Sequence, residues 1–69
     1  MEDLSKRELE ILRRLPMENY DIANELNISY STVRTHVRRI YEKLEVQSKI
    51  ECALKALKLG IVHLNEFKK

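Results

Sequence analysis

Sixty-nine residues with 35% charged and 43% hydrophobic side chains are too apolar for a disordered tail and too charged for a membrane span. No apolar run approaches the ~18 residues that a spanning helix needs, and at this length folding buries only roughly 60% of the chain's surface, so the sequence reads as one small domain over 1–69 with a minimal core. The net charge of +2 hides a split: residues 1–30 carry four Lys/Arg against seven acids, net −3, and residues 31–69 carry nine against four, net +5.

One Gly and one Pro leave few turns, and the punctuation predicts four helices joined by short links. The first starts at a capping box, Ser5 with Glu8, and Leu4 with Leu9 has the spacing of a hydrophobic staple. Leu9, Ile11, Leu12 and Leu15 form its apolar stripe, and Pro16 ends it, because the residue before proline disfavours helix. The second helix is short, Asn19 to Leu26. Ile22 and Leu26 share a face, Ala23 is small enough to let another helix approach, and Asn27 tolerates the left-handed conformation that stops helices. Ile28 then plugs a tight turn.

The third helix is capped by Ser29 and runs through Leu44. At about 100° per residue, Val33, Val37, Ile40, Tyr41 and Leu44 fall within one arc, and the opposite face holds Ser31, Arg34, Thr35, Arg38, Arg39 and Glu42. The fourth helix opens on a second capping box, Ser48 with Glu51, and runs to Leu59, with Gly60 as its left-handed terminator. It carries two apolar stripes: Ile50, Ala53, Leu54 and Leu57 on one side, and Cys52, Ala56 and Leu59 on roughly the other. A surface helix of a small domain needs one stripe, so the second is expected to face a partner. The first of the two is taken as the core face.

Ile22 to Val37 has the grammar of a helix-turn-helix, whose second helix enters the DNA major groove with its N-terminal residues at base edges. Arginine suits that task, since its planar fork bonds guanine O6 and N7 together. Thr35 offers a hydroxyl to a base or a methyl to thymine, and Ser31 and Thr32 lie in the first turn, where backbone N–H groups and the helix dipole favour phosphate. The bland alternative is a four-helix domain whose arginines only solubilise it. Spacing, turn residue and basic face together favour DNA binding.

The motifs also resemble a known family. Leu4-Ser5-Lys6-Arg7-Glu8-Leu9-Glu10-Ile11-Leu12, Asn19 with Ile22-Ala23, Leu26-Asn27-Ile28-Ser29 and Ser31-Thr32-Val33-Arg34-Thr35-His36-Val37 are similar to the LuxR/GerE-type helix-turn-helix of bacterial transcription regulators. Lys43-Leu44, Val46, Lys49, Glu51, Ala56 and Gly60-Ile61-Val62 extend the likeness, so it covers about residues 4–62. The resemblance implies an all-α domain of four helices, with the third (about 30–44) as recognition helix and the fourth as dimerisation helix. It implies base contacts from Arg34, Thr35 and Arg38, and phosphate contacts from Thr32 and Lys49, with Ser31, His36 and Arg39 as further candidates. The dimer would form through Cys52, Ala56 and Leu59, and the partners would be double-stranded DNA bearing an inverted repeat, a second copy of the chain in solution or only on DNA, and RNA polymerase. Two places depart from the pattern: the usual Gly-x-Ser/Thr before the second helix is Pro16-Met17-Glu18, and the Gly after the third is Glu45, an acid expected to weaken DNA binding slightly or to restrict the sequence bound. The family domain usually follows a receiver or ligand-binding domain. The Met1 start here favours a stand-alone regulator over an effector domain cut from a longer chain.

Other functions find less support. No acid, base and nucleophile form a constellation, and so small a domain holds no deep pocket, which argues against an enzyme. Cys52 with His36 and His63 lacks metal-ligand spacing, so no metal or cofactor is expected. Cys52 reads as a small buried hydrophobe, with a cross-link to its twin as the alternative. The acidic Met1-Glu2-Asp3 start lacks an apolar stretch behind it, so a reducing cytoplasm is the expected compartment. Tyr41 is assigned to the core and Tyr30 to the vicinity of the DNA backbone; Tyr20 has no assigned place, and the tail Phe67-Lys68-Lys69 is either disordered or on DNA. The main competing function is a protein-interaction module of the same fold, docking a partner through the stripe on the fourth helix. A third is a fragment resembling the promoter-reading region of a sigma factor, which the Gly60-Ile61-Val62 ending argues against.

Overall fold

A computed structural model describes residues 4–63. The tail at Phe67-Lys68-Lys69 lies outside them. Four helices are present, α1 (Lys6–Leu12), α2 (Asn19–Leu26), α3 (Tyr30–Leu44) and α4 (Lys49–Lys58), and no strand occurs among the described residues.

Helix α1 starts on the full capping box: the Ser5 hydroxyl accepts from the Glu8 N–H at 3.1 Å, and the Glu8 carboxylate accepts from the Ser5 N–H at 2.8 Å. It is shorter than the Leu9-to-Leu15 stripe predicts, ending at Leu12. Proline is the cause. Pro16 has no N–H to give the Leu12 carbonyl, so the Leu15 N–H takes it at 3.2 Å and the chain tightens into three-residue turns. Leu15 still reaches the core, whereas Leu9 is only half-buried.

The other three helices share a different stop. After α2, the Ile28 N–H donates to the Ala23 carbonyl and the Asn27 N–H to that of Asn24. After α3, the Val46 N–H donates to Tyr41 and the Glu45 N–H to Glu42; after α4, the Ile61 N–H donates to Ala56 and the Gly60 N–H to Leu57. These are Schellman motifs, each turning on a left-handed residue: Asn27 (φ 58°), Glu45 (φ 58°) and Gly60 (φ 74°). Each is followed by a β-branched side chain, Ile28, Val46 or Ile61, that packs against the core.

The core is built where α1, α2 and α4 meet α3. Ile11, Leu12, Leu15, Ile22, Ala23, Val33, Val37, Ile40 and Leu44 are buried together. Ala23 is buried in this core, on the helix that packs against α3, and Tyr41 is half-buried at the margin.

Helix α4 corrects the stripe assignment. Cys52 and Ala56 are 0% exposed and belong to the core, joined by Ala53. Ile50 and Leu54, expected inside, are 59% and 60% exposed. The physical reason is space. The branched side chains of α1 and α3 already fill the middle of the domain, and the room left for α4 admits only small residues at close approach. The outward apolar stripe is therefore Ile50–Leu54, flanked by half-buried Leu57 and exposed Leu59. The second capping box is half-formed: the Ser48 hydroxyl accepts from the Glu51 N–H, but the Glu51 carboxylate accepts from Gln47 instead of Ser48.

Candidate nucleic-acid interface

The polar face of α3 stands clear of the rest of the domain. Ser31, Thr32, Arg34, Thr35, Arg38 and Arg39 are all exposed, and Arg34, Arg38, Ser31 and Thr35 share roughly 100° of helix surface. Their immediate neighbours explain why they stay there. Val33, Val37, Ile40 and Leu44 bury the opposite side against α1 and α2, so rotating the polar face inward would expose the core.

Three hydroxyls gather at the start of α3. The Ser29 hydroxyl accepts from the Thr32 N–H at 3.1 Å and lies 2.7 Å from the Thr32 hydroxyl and 3.2 Å from that of Ser31. One turn on, the Thr35 hydroxyl donates to the Ser31 carbonyl at 3.0 Å, so its proton is committed within the helix. What Thr35 still presents outward is its methyl group and oxygen lone pairs.

Charge pairing differs along the chain. Around α1 and α2 two arginines meet acids: Arg7 on α1 lies 3.5 Å from Glu10, and Arg14, just beyond α1, bonds Glu25 at 2.9 Å and the Glu10 carbonyl at 2.7 Å. On α3, Lys43 is consumed by Glu8 at 2.8 Å. Arg34, Arg38 and Arg39 have no acidic partner among the described residues. Arg34 instead lies over the ring of Tyr30, 5.9 Å from its centroid. Three guanidinium groups are thus left to an external anion.

The Glu8–Lys43 pair fixes the far end of α3 on α1. Glu8 is 2% exposed. Burial pushes its carboxyl up, but Lys43 and the Ser5 N–H and hydroxyl outweigh that and hold it below the usual carboxylate range.

Two expected phosphate ligands have other contacts. The Lys49 ammonium donates to the Met17 carbonyl at 3.0 Å and lies 3.9 Å from the Glu18 carboxylate, so it clasps the turn that replaces Gly-x-Ser/Thr. His36 is half-buried between the polar face and the core, with its Nδ1 buried and unpartnered among the described residues. Of the expected dimer residues only Leu59 is on the surface; Cys52 and Ala56 are in the core, and burial pushes the Cys52 thiol up to about 11. A thiol so protonated and enclosed is no cross-linking group.

Sequence reasoning missed the aromatic pair beside Arg34. Tyr20 and Tyr30 are 65% and 48% exposed, with ring centroids 6.4 Å apart and planes inclined at 49°. The Tyr30–Arg34 spacing of i and i+4 was a usable signal. Nothing local links Tyr20, on another helix, to either. No group of three or more potential metal ligands occurs among the described residues, and none of their helices is long and apolar enough to cross a membrane.

Comparison with known proteins places this geometry in context. Residues 2–56 match the family described as bacterial regulatory proteins, luxR family (GerE). The chain is 43% identical over 63 residues to the uncharacterized transcriptional regulatory protein YxjL of Bacillus subtilis, covering 88% of this chain and 29% of that protein. It is 40% identical over 53 residues to the nitrate/nitrite response regulator protein NarP of Escherichia coli, covering 74% of this chain and 25% of NarP. The uncharacterized response regulatory protein YgeK of Escherichia coli is 43% identical over 60 residues, 84% of this chain and 41% of YgeK. The chain thus spans between a quarter and about two-fifths of the length of these curated relatives.

Proposed function

The chain belongs to the luxR family of bacterial regulatory proteins, a family of transcription regulators and not of enzymes, and on that premise we propose that it binds double-stranded DNA sequence-specifically as a dimer, with α3 in the major groove. The observation that carries this reading is the set of three exposed arginines on α3 without acidic partners among the described residues, on a chain where Arg7 pairs with Glu10 and Arg14 with Glu25. Arg34 and Arg38, one turn apart, read bases. Thr35 meets a thymine methyl or accepts from a base amino group, since its own proton is committed to Ser31. Thr32 and Arg39 lie beside that arc on the side of the phosphates, and Ser31 reaches a phosphate from the first turn of the helix.

Dimerisation runs through the outward stripe of α4. Ile50 and Leu54 are exposed large apolar residues on a helix whose small residues face the core, and Leu59 extends the patch. Two-fold pairing would make the site an inverted repeat.

The test is selection of bound duplexes from a random pool at near-physiological salt. An enriched inverted repeat is the expected result. At that site Arg34→Ala or Arg38→Ala costs ~1–3 kcal/mol and relaxes one base position. If no duplex is enriched and weak binding vanishes with added salt, sequence-specific recognition is refuted. The same α4 stripe supports the second reading, a protein-interaction module; such a module would bind its partner with little of the steep salt dependence that several phosphate contacts impose.

A further inference from the structure

We infer that Tyr30 is a positioning residue for Arg34, and that Tyr20 in turn braces Tyr30, so that a stack of two tyrosines from two helices sets base discrimination at one position of the recognised site. The inference rests on the DNA-binding reading above and adds residues to it that face no base themselves.

The geometry is specific. Tyr30 is the first residue of α3 and Arg34 lies one turn on, its guanidinium carbon 5.9 Å from the Tyr30 ring centroid, within the ~6 Å reach of a cation–π contact. Tyr20, near the start of α2, approaches the same ring at 6.4 Å with a tilt of 49°, an ordinary aromatic-pair arrangement. Both rings are exposed, Tyr20 at 65% and Tyr30 at 48%, so burial holds neither in place.

The physical gain is entropic. A free arginine has a large rotamer freedom, and bidentate recognition of a base edge removes it on binding. An arginine already resting on a ring loses less. Arg38, one turn further along, has no such rest among the described residues. The two candidate base readers therefore differ: Arg34 is pre-set, and Arg38 is ordered only by its target. At an exposed site the contact is worth about two- to five-fold in affinity.

The experiment has two arms. In the free protein, the Arg34 side-chain Nε–H resonance is compared in the parent, Tyr30→Phe and Tyr30→Leu. A ring-current shift is expected in the parent, retained in the phenylalanine variant and lost in the leucine variant. On DNA, the operator selected with the parent and each of its single-base variants are titrated with the same proteins and with Arg34→Ala. Tyr30→Leu should lose discrimination about two- to five-fold at the base pair where Arg34→Ala loses it. Tyr30→Phe should behave as the parent, and adding Tyr30→Leu to Arg34→Ala should change nothing further.

Equal resonance positions in all three proteins would overturn the stack whatever DNA does. A uniform loss across every duplex, or a loss that persists in the Arg34→Ala background, would overturn its role in discrimination. A parent that enriches no duplex would overturn the DNA reading itself, and the role of the stack with it. Melting temperatures close to the parent's are expected throughout, since Tyr30 is 48% exposed.

Discussion

Replacing Lys43 by methionine removes one side of the pair that holds α3 on α1. The Glu8 Oε1 atom accepts from both the Lys43 ammonium and the Ser5 N–H, each at 2.8 Å, and Glu8 is 2% exposed. Without the lysine, that carboxylate stays buried with one backbone donor. Breaking a buried pair from one side costs ~3–5 kcal/mol. Lys43 is one-fifth exposed, so water can enter where it leaves, and the low end, about 3 kcal/mol, applies. A domain of this size has roughly 3–10 kcal/mol in all, and each kcal/mol moves its midpoint by about 4–8 °C. The midpoint of Lys43→Met should therefore fall by roughly 12–24 °C in circular dichroism melts at neutral pH. The double variant Glu8→Met/Lys43→Met removes both charges and loses only the reciprocal half of the capping box, about 1 kcal/mol. The parent's pH response supplies a second reading. Because the folded carboxyl lies below its ordinary value, its contribution is fully present above the unfolded value of about 4.3 and is lost as pH falls through the lower folded one. The double variant should lose less stability than the parent over that acid window. A single variant within 1 kcal/mol of the parent, or a double variant no more stable than the single, would refute the account.

Further outcomes follow from the caps, α4 and the turns. Glu45→Gly should stabilise by about 1 kcal/mol in urea unfolding, because Glu45 holds φ 58° at the cost of a Cβ clash, whereas Asn27→Gly at the same φ should change little. Leu54→Glu should leave stability within about 0.5 kcal/mol yet shift sedimentation towards monomer, whereas Ala56→Leu should overpack the core by ~1–3 kcal/mol. Lys49→Met should lower stability and leave the salt dependence of DNA binding unchanged, since its ammonium is held by Met17; a slope reduced by about one unit would return Lys49 to the phosphates. Cys52, with its thiol at about 11, should resist a thiol reagent at pH 8 until the domain unfolds.

What could be read in the chain was what is decided locally. Ser5 with Glu8, Ser29 and Ser48 mark helix starts because their hydroxyls bond three residues on, and Asn27 and Gly60 mark stops because their backbones tolerate positive φ. The alternation on α3 was equally legible, since its polar side holds no large apolar residue to confuse it. The two stripes of α4 were not. Both are apolar, and only the filled volume between α1 and α3 decides that Cys52 and Ala56 turn inward while Ile50 and Leu54 turn out. Pro16 announced the end of α1, but its reach back to the Leu12 carbonyl depends on a hydrogen bond that spacing alone does not reveal. The resemblance put Lys49 on phosphate, and its acceptor, the Met17 carbonyl, is too distant in the chain to be read from spacing. The Tyr20 ring met Tyr30 for the same reason without local warning.

The pairing of Arg7 with Glu10 and Arg14 with Glu25 has a kinetic consequence. Cancelled charges contribute little field beyond a Debye length, about 8 Å at physiological ionic strength, whereas the α3 guanidinium groups project theirs from one side. Among the described residues the unpaired α3 guanidinium groups lie to one side, and on the DNA-binding reading a polyanion would exert a torque on the domain before the surfaces touch. Encounters then arrive with α3 foremost more often than chance allows, so added salt should slow arrival more than it hastens departure.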